Sequence, residues 1–373
     1  MLVTGNQIES PVATSDSNEA LNDNTSSIAS RRSRCIIDAQ HLSAPGGRAS
    51  TQGGSTMRRY AIPFALLSLL LPITVFSQAR TPEAALNHFN NALKKGGNGD
   101  FDGAIEDYTR AIRLSSQFNT SKSSDSRLSN SLTDYSAESI TVVDPFTANA
   151  YNNRGLARYK KNDITGAIED FDQALKIRPG LADIYMNRAA ALRANGHLQA
   201  AMKDLDRAIT IKKNFYQAYS NRGSLKLDLE DSAGALIDLN RSIDINNRVP
   251  ESYYQRGYVY LALKDFDRGI ADFERAIKLA PEMGWAYQGR GTALMYKGKM
   301  VEAIADFNRA IELDPNIAWA YFNRGLAKVY VGQEAEAQKD FDECLRLRPD
   351  VKDQLEPRIV LARQLRRIGK LQE

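Results

Sequence analysis

Two stretches of the chain carry nearly the same hydrophobic and polar pattern. Residues 150–180 read AYNNRGLARYKKNDITGAIEDFDQALKIRPG, and residues 320–350 read AYFNRGLAKVYVGQEAEAQKDFDECLRLRPD. Each has one helical stretch, a short polar break, a second amphipathic stretch at helical spacing and then a proline. The pattern therefore predicts helix–turn–helix units.

The units share one register. Gly155, Ala189, Gly223, Gly257, Gly291 and Gly325 are each 34 residues apart. The same interval separates Ala167, Ala201, Ala235, Gly269, Ala303 and Ala337. It also separates Phe171, Leu205, Leu239, Phe273, Phe307 and Phe341, and then Ala174, Ala208, Ser242, Ala276, Ala310 and Cys344. Six copies tile residues 148–351 without a gap. Small residues at these places let two antiparallel helices approach closely, and the aromatic residues fill the space beside them. One such pair cannot bury its apolar face alone, so neighbours stack.

This register resembles the tetratricopeptide repeat (TPR) family. That family's consensus has an aromatic residue at position 4, small residues at 8, 20 and 27, an aromatic at 24 and proline at 32. Counting from Ala148, position 4 is Tyr151, Tyr185, Tyr219, Tyr253, Tyr287 and Tyr321. Position 32 is Pro179, Pro281, Pro315 and Pro349, but Lys213 and Asn247 in the second and third units. Motifs of the NRG and AIxDF type recur throughout. A weaker unit precedes these over residues 85–118, where Ala104, Tyr108 and Ala111 keep register but Gly96 and Gly97 interrupt the first helix. Gly196, Gly298 and Gly332 sit where a left-handed residue ends the first helix. The resemblance implies an all-α solenoid, a right-handed superhelix with a concave groove lined by first helices.

The flanks differ. Residues 1–56 lack Phe, Tyr and Trp and are rich in Ser, Thr, Asn and Gly, a composition that stays disordered. From Met57, Arg58 and Arg59 precede an apolar stretch from Ala61 to Phe76, and Ser77-Gln78-Ala79 has small residues at the two positions a signal peptidase reads. A spanning helix needs about 20 apolar residues, and this stretch is shorter and carries Pro63 and Pro72. Residues 57–79 are therefore expected to be a secretory signal, which places the protein in the periplasm or outside the cell. An uncleaved membrane anchor is the other reading. A signal belongs at an N-terminus, so Met57 is expected to be the true start, with residues 1–56 a misassigned extension. Residues 119–147 are Ser-rich and read as a flexible linker. Residues 352–373 read as a capping helix, with Leu355, Ile359, Leu365 and Ile368 on the last unit.

Composition narrows the chemistry. The net charge is +4, with no block of five or six like charges, so nucleic acid is not an expected partner. Cys35 and Cys344 make no disulfide framework, and no Cys/His pair has metal spacing. No nucleophile–base pair and no Gly-rich phosphate loop is present. No enzyme activity, cofactor or metal is expected. Cys344 fills a small-residue slot and is expected to be packed.

Position 7 is Arg in all six units (Arg154, Arg188, Arg222, Arg256, Arg290, Arg324), and position 23 is Asp in all six (Asp170, Asp204, Asp238, Asp272, Asp306, Asp340). The two positions face each other across a turn near position 15, so a structural ion pair is expected. An anion-binding Arg stripe is the competing reading. Position 6 is Asn153, Asn187, Asn221 and Asn323. The family places position 6 in the groove, where amides hold an extended peptide backbone, or are merely solvated. The later units turn aromatic at groove positions, with Tyr254, Tyr258, Trp285, Trp319 and Phe322 as expected partner contacts. Packing between repeats is the alternative for these. The Lys/Asn clamp of chaperone adaptors is missing. The functional expectation is a scaffold that binds a protein or peptide. The alternatives are a structural or assembly subunit of an envelope complex, acting through its convex face or linker, and more remotely an accessory domain for an enzyme on another chain.

Overall fold

The computed structural model describes residues 82–125 and 145–370. The extension 1–56, the signal segment 57–79 and the middle of the Ser-rich stretch lie outside the described residues. Among the described residues there are fifteen α-helices, one short 3-10 turn and no strand. None of these helices is long and apolar enough to cross a membrane.

The described residues fall into two compact units, divided between Glu282 and Met283. The first holds five antiparallel hairpins. These are α1 (Glu83–Gly97) with α2 (Phe101–Asp125), α3 (Pro145–Lys160) with α4 (Ile164–Ile177), and α5 (Ala182–Ala194) with α6 (Leu198–Ile211). They continue with α7 (Tyr216–Asp228) and α8 (Ser232–Ile245), then α9 (Pro250–Ala262) and α10 (Phe266–Leu279). The second unit holds α11 (Gly284–Tyr296) with α12 (Met300–Leu313), α13 (Ala318–Val331) with α14 (Glu334–Leu347), and the final α15 (Lys352–Lys370).

Small residues set the hairpin spacing. A Cβ on Gly155 would come within 2.8 Å of the Phe171 ring, so glycine is required for that approach. Successive hairpins share apolar clusters, such as Ala174 with Ile184 and Ala208 with Phe215 and Ala218. In the second unit Phe307, Phe322 and Phe341 join Val351, Leu355 and Ile359 in one core.

Several features depart from the sequence expectations. Gly96 and Gly97 do not interrupt α1 but form its last turn. The stretch 119–147 is partly helical, since α2 runs to Asp125 and α3 begins at Pro145. Phe146 is buried with its ring 5.2 Å from that of Phe89, and the Thr147 hydroxyl donates to Ser115 at 2.8 Å. The apolar pocket of the first hairpin thus draws the chain into helix before the repeat register begins. At the other end Leu355, Ile359 and Ala362 are buried, Leu365 is half-buried and Ile368 is 53% exposed. Ile368 therefore does not cover the last hairpin; it lies beyond the surface that α13 offers.

The turn residue at position 15 has positive φ in every hairpin. Gly99, Gly196, Gly298 and Gly332 supply it with φ of 83°, 81°, 78° and 97°, and Asn162, Glu230 and Lys264 adopt 68°, 63° and 62°. Asp side chains cap the following helices, as where Asp163 accepts from the Gly166 amide at 3.0 Å. Second helices end at Ile211 and Ile245 in the same register as Ile177, so the missing prolines change nothing there.

Candidate partner-binding face

The Arg–Asp pairs settle into one geometry. In each repeat the Arg side chain donates through Nε and Nη2 to the two carboxylate oxygens of its Asp. For Arg188 and Asp204 both distances are 2.7 Å; for Arg324 and Asp340 they are 3.0 and 2.5 Å. The other pairs are Arg154–Asp170, Arg222–Asp238, Arg256–Asp272 and Arg290–Asp306. The six Asp residues are buried. Such a fork-to-fork pair is the strong form of charge-assisted hydrogen bond. The hydrogen bond to Asp204 raises the Arg188 guanidinium above its ordinary range, against the opposing effect of burial.

The third nitrogen, Nη1, turns to the preceding repeat. It donates from Arg188 to Asp172 at 2.7 Å, from Arg222 to Asp206 at 2.8 Å and from Arg256 to Asn240 at 2.7 Å. Arg154 reaches Thr109 at 2.9 Å, and Arg324 reaches Asn308 at 2.7 Å. Each guanidinium also lies 5.3–5.7 Å from the Tyr ring three residues earlier, as with Arg154 and Tyr151 or Arg290 and Tyr287. These guanidinium groups are thus held by internal partners, and the anion-stripe reading lapses.

The first hairpin differs. Asn91 stands where the others have Arg, and Asp107 is held instead by Lys95 at 2.7 Å and His88 at 3.0 Å. Burial pushes the Asp107 carboxyl up, but the hydrogen bonds from Lys95 and His88 outweigh it and hold the group below its usual range. At the far end burial pushes the Cys344 thiol up to about 12, the behaviour of a packed thiol rather than a reactive one.

The asparagines lie elsewhere than expected. Asn153, Asn187, Asn221 and Asn323 are buried rather than open to a groove. Positions 5 and 6 fall where the first helices of consecutive hairpins meet, so a side chain at position 6 faces position 5 or 9 of the preceding repeat. Asn187 Nδ2 donates to Asn152 Oδ1 at 3.0 Å, and Asn152 Nδ2 donates to Asn153 Oδ1 at 3.1 Å. Asn323 Nδ2 donates to Thr292 Oγ1 at 3.1 Å. Opposite Asn221 the register places Met186, which has no amide or hydroxyl to offer. Asn221 Nδ2 and Oδ1, Asn153 Nδ2, Asn187 Oδ1, Ser224 Oγ and Gln255 Nε2 are buried with no hydrogen-bond partner among the described residues.

The aromatic set divides. Tyr254 is buried, edge-to-face with Tyr258 at 5.0 Å, and Tyr258 packs on Phe273 at 5.3 Å. Phe322 is fully buried against Phe341, with Trp319 at 5.8 Å and the Arg358 guanidinium of α15 at 5.7 Å. Trp285 is half-buried against the Ala310, Ile317 and Ala320 cluster. Of the nine residues expected to contact a partner, only Tyr258, Trp285 and Trp319 are less than fully buried in this structure. Ser224, Gln255, Thr292 and the half-buried pair Arg193–Asp228 (2.5 Å) were not foreseen. Their one sequence signal is a run of polar residues at first-helix positions that are otherwise apolar. Among the described residues no group of three His, Cys, Asp or Glu side chains could hold a metal ion.

Models of the family described as tetratricopeptide repeat match residues 148–181, 250–283, 181–214 and 320–351. A model described as TPR repeat matches residues 291–329. The chain is a tetratricopeptide repeat protein. Its fold is similar to a tetratricopeptide repeat protein from Parabacteroides merdae, at 17% identity and a TM-score of 0.56, covering 75% of this chain and 99% of that one. It is also similar to a chain of the Cut9–Hcn1 hetero-tetramer of the APC/C, at 15% identity and a TM-score of 0.54, covering 70% of this chain and 52% of that one. The TPR protein YrrB, whose structure is described as having an unusual peptide-binding site, shares 23% identity over 51% of this chain and 98% of its own, with a TM-score of 0.38. No curated protein matches the chain. Within the TPR register, the Arg–Asp clamp lies at positions 7 and 23, and the buried amides lie at positions 5 and 6 of the first helices.

Proposed function

We propose that this TPR protein is a non-enzymatic scaffold that binds a polypeptide partner along its first helices. The observation that carries the reading is the set of buried, unpartnered amide atoms on those helices, with Asn221 lacking a partner at both ends. A buried polar group left unpaired costs about 1–3 kcal/mol, and a residue that breaks a local rule at such a cost marks a functional candidate. An amide offers a donor and an acceptor together, which is the complement of a peptide group. The half-buried Trp285 and Trp319 supply apolar contacts of the kind that dominate interfaces.

The test is capture from an envelope extract by the full chain, with Asn221→Ala and Trp319→Ala variants run beside it and circular dichroism on each. Capture that falls in both variants while helicity is kept supports the reading. Capture unchanged in both, with the fold intact, shifts the assignment to an assembly subunit. Ile237 and Val301, 69% and 73% exposed on second helices, favour that second reading.

Export belongs to the same proposal. Residues 57–79 act as a secretory signal, the mature chain begins at Arg80, and the membrane enters only through that segment. Mass spectrometry of the exported protein then finds no peptide from residues 1–79. Peptides from residues 1–56 in the purified protein defeat the reading of Met57 as the start.

A further inference from the structure

The junction between the α7/α8 hairpin and α9 is built differently from its equivalents. Position 27 of one repeat meets position 3 of the next at this junction and at three others. Elsewhere that meeting is apolar, with Ala174 against Ile184, Ala208 against Ala218 and Ala310 against Ala320 in shared clusters. Here both positions are serine, and the Ser242 and Ser252 hydroxyls lie 2.9 Å apart. Ser242 also donates to the Tyr216 carbonyl at 2.9 Å. Ser252 donates to Ser220 at 3.4 Å, and Ser220 donates to Gln255 Oε1 at 2.5 Å. The apolar cluster at the junction is reduced to Ala235, Leu239 and Val259, with Leu227 and Leu236 beside it.

The same junction holds two of the nine buried side-chain polar atoms that lack a partner among the described residues. Ser224 and Gln255 are each at most 1% exposed, and they leave Oγ and Nε2 without a partner among the described residues. Gln255 and Ser224 stand in the register that Asn323 and Thr292 occupy in the second unit, where the two side chains are bonded at 3.1 Å. Separating two surfaces costs the apolar area exposed and returns the hydration of polar atoms that had no partner. Both quantities favour opening at this junction over its apolar equivalents, and sub-global opening of this kind draws on the least stable contacts of a structure.

We propose that α7/α8 and α9/α10 part at this junction, and that the opening presents Ser220, Ser224 and Gln255 to the backbone of an extended polypeptide. The second half rests on the scaffold reading above. It follows from burial, because a side chain with no exposed surface cannot meet a partner until its neighbours move. The freed groups comprise the Gln255 amide, whose carbonyl loses Ser220 as the helices part, and the Ser220 and Ser224 hydroxyls, a set that reads main chain without regard to its sequence.

Hydrogen exchange on the full chain tests the opening without any partner. Backbone amides of α7 and α9 are expected to exchange at least about tenfold faster than those of α5. A Ser242→Cys/Ser252→Cys pair, in a Cys35→Ser/Cys344→Ala background, places two thiols where hydroxyls now lie 2.9 Å apart. Oxidation is expected to bring the protection of α7 and α9 to that of α5, and reduction to reverse it. Equal protection of α5, α7 and α9 in the parent chain overturns the proposal. So does protection that oxidation leaves unchanged. If the disulfide does not close, Ser242→Ala/Ser252→Ala gives this meeting the apolar pair found at its equivalents and is expected to raise protection by a similar factor. An array of unstructured twelve-residue random peptides reads the second half. Binding lost on oxidation and recovered on reduction supports it, and equal binding by the oxidised and reduced forms overturns it. Exchange as expected, with no peptide bound even by the parent chain, keeps the opening and overturns the scaffold reading.

Discussion

Arg188 donates through Nη1 to Asp172 of the preceding hairpin at 2.7 Å, while its other two donors hold Asp204 of its own hairpin. One guanidinium therefore closes a hairpin and ties it to its neighbour. The two bonds differ in burial, since the Asp204 side chain is 9% exposed and that of Asp172 is 44% exposed.

The clamp has an inner and an outer arm of unequal strength. Asp204→Ala leaves the Arg188 guanidinium without its buried partner and is expected to cost about 3 kcal/mol. Asp172→Ala removes a screened contact and is expected to cost below about 1 kcal/mol. Urea unfolding of the full-length variants measures both. Equal losses refute the ranking.

Glu230 and Lys264 occupy left-handed turn positions that glycine fills in four other hairpins. A side chain with a Cβ pays about 1–2 kcal/mol in that region, partly offset because glycine has more unfolded-state freedom. Glu230→Gly and Lys264→Gly are each expected to raise stability by roughly 0.5–1 kcal/mol, and Gly196→Ala to lower it by a similar amount. Thermal unfolding decides, and a destabilised Glu230→Gly contradicts the account.

Asn187 and Asn221 occupy the same repeat position, yet substitution is expected to act oppositely. Asn187→Leu breaks the bond to Asn152 Oδ1 and strands that oxygen, so stability falls by about 1–2 kcal/mol. Asn221→Leu removes two polar atoms that have no partner among the described residues, so stability is expected to rise, while capture of a polypeptide falls. Unfolding and binding measured on one preparation separate the two effects. A destabilised Asn221→Leu means the amide is satisfied in solution.

The first hairpin carries a pH signature. The folded Asp107 carboxyl lies below its ordinary value of 3.8, because hydrogen bonds from Lys95 and His88 outweigh burial. A depressed carboxylate contributes stability that is present above the unfolded value and lost as pH falls through the folded one. Asp107→Asn is therefore expected to lower the melting temperature at pH 7, with the gap to the parent closing as pH falls below 3.8. A gap of constant size between pH 7 and 2.5 shows that the charge is not the cause.

The helical hairpins and the Arg–Asp pairing were legible in the primary structure because both are short-range. Arg154 and Asp170 are 16 residues apart, on two helices joined by one turn, so register alone brings them together. Other features were legible only in part. The stretch before Ala148 reads as linker by composition, yet Phe146 has a pocket between Phe89 and its neighbours that no local signal announces. The turn residue at position 15 was visible where it is glycine and hidden where Asn162, Glu230 and Lys264 are held in the same conformation.

The sequence by itself determined the period, the helix pairs and the ion pair inside each hairpin, because these depend on spacing within about 34 residues. Only the tertiary structure decided which first-helix side chains are buried and which amides are paired. That depends on how closely each first helix approaches the next. Asn187 finds Asn152, whereas the register sets Asn221 opposite Met186, and the same residue at the same repeat position is bonded in one place and unpartnered in the other.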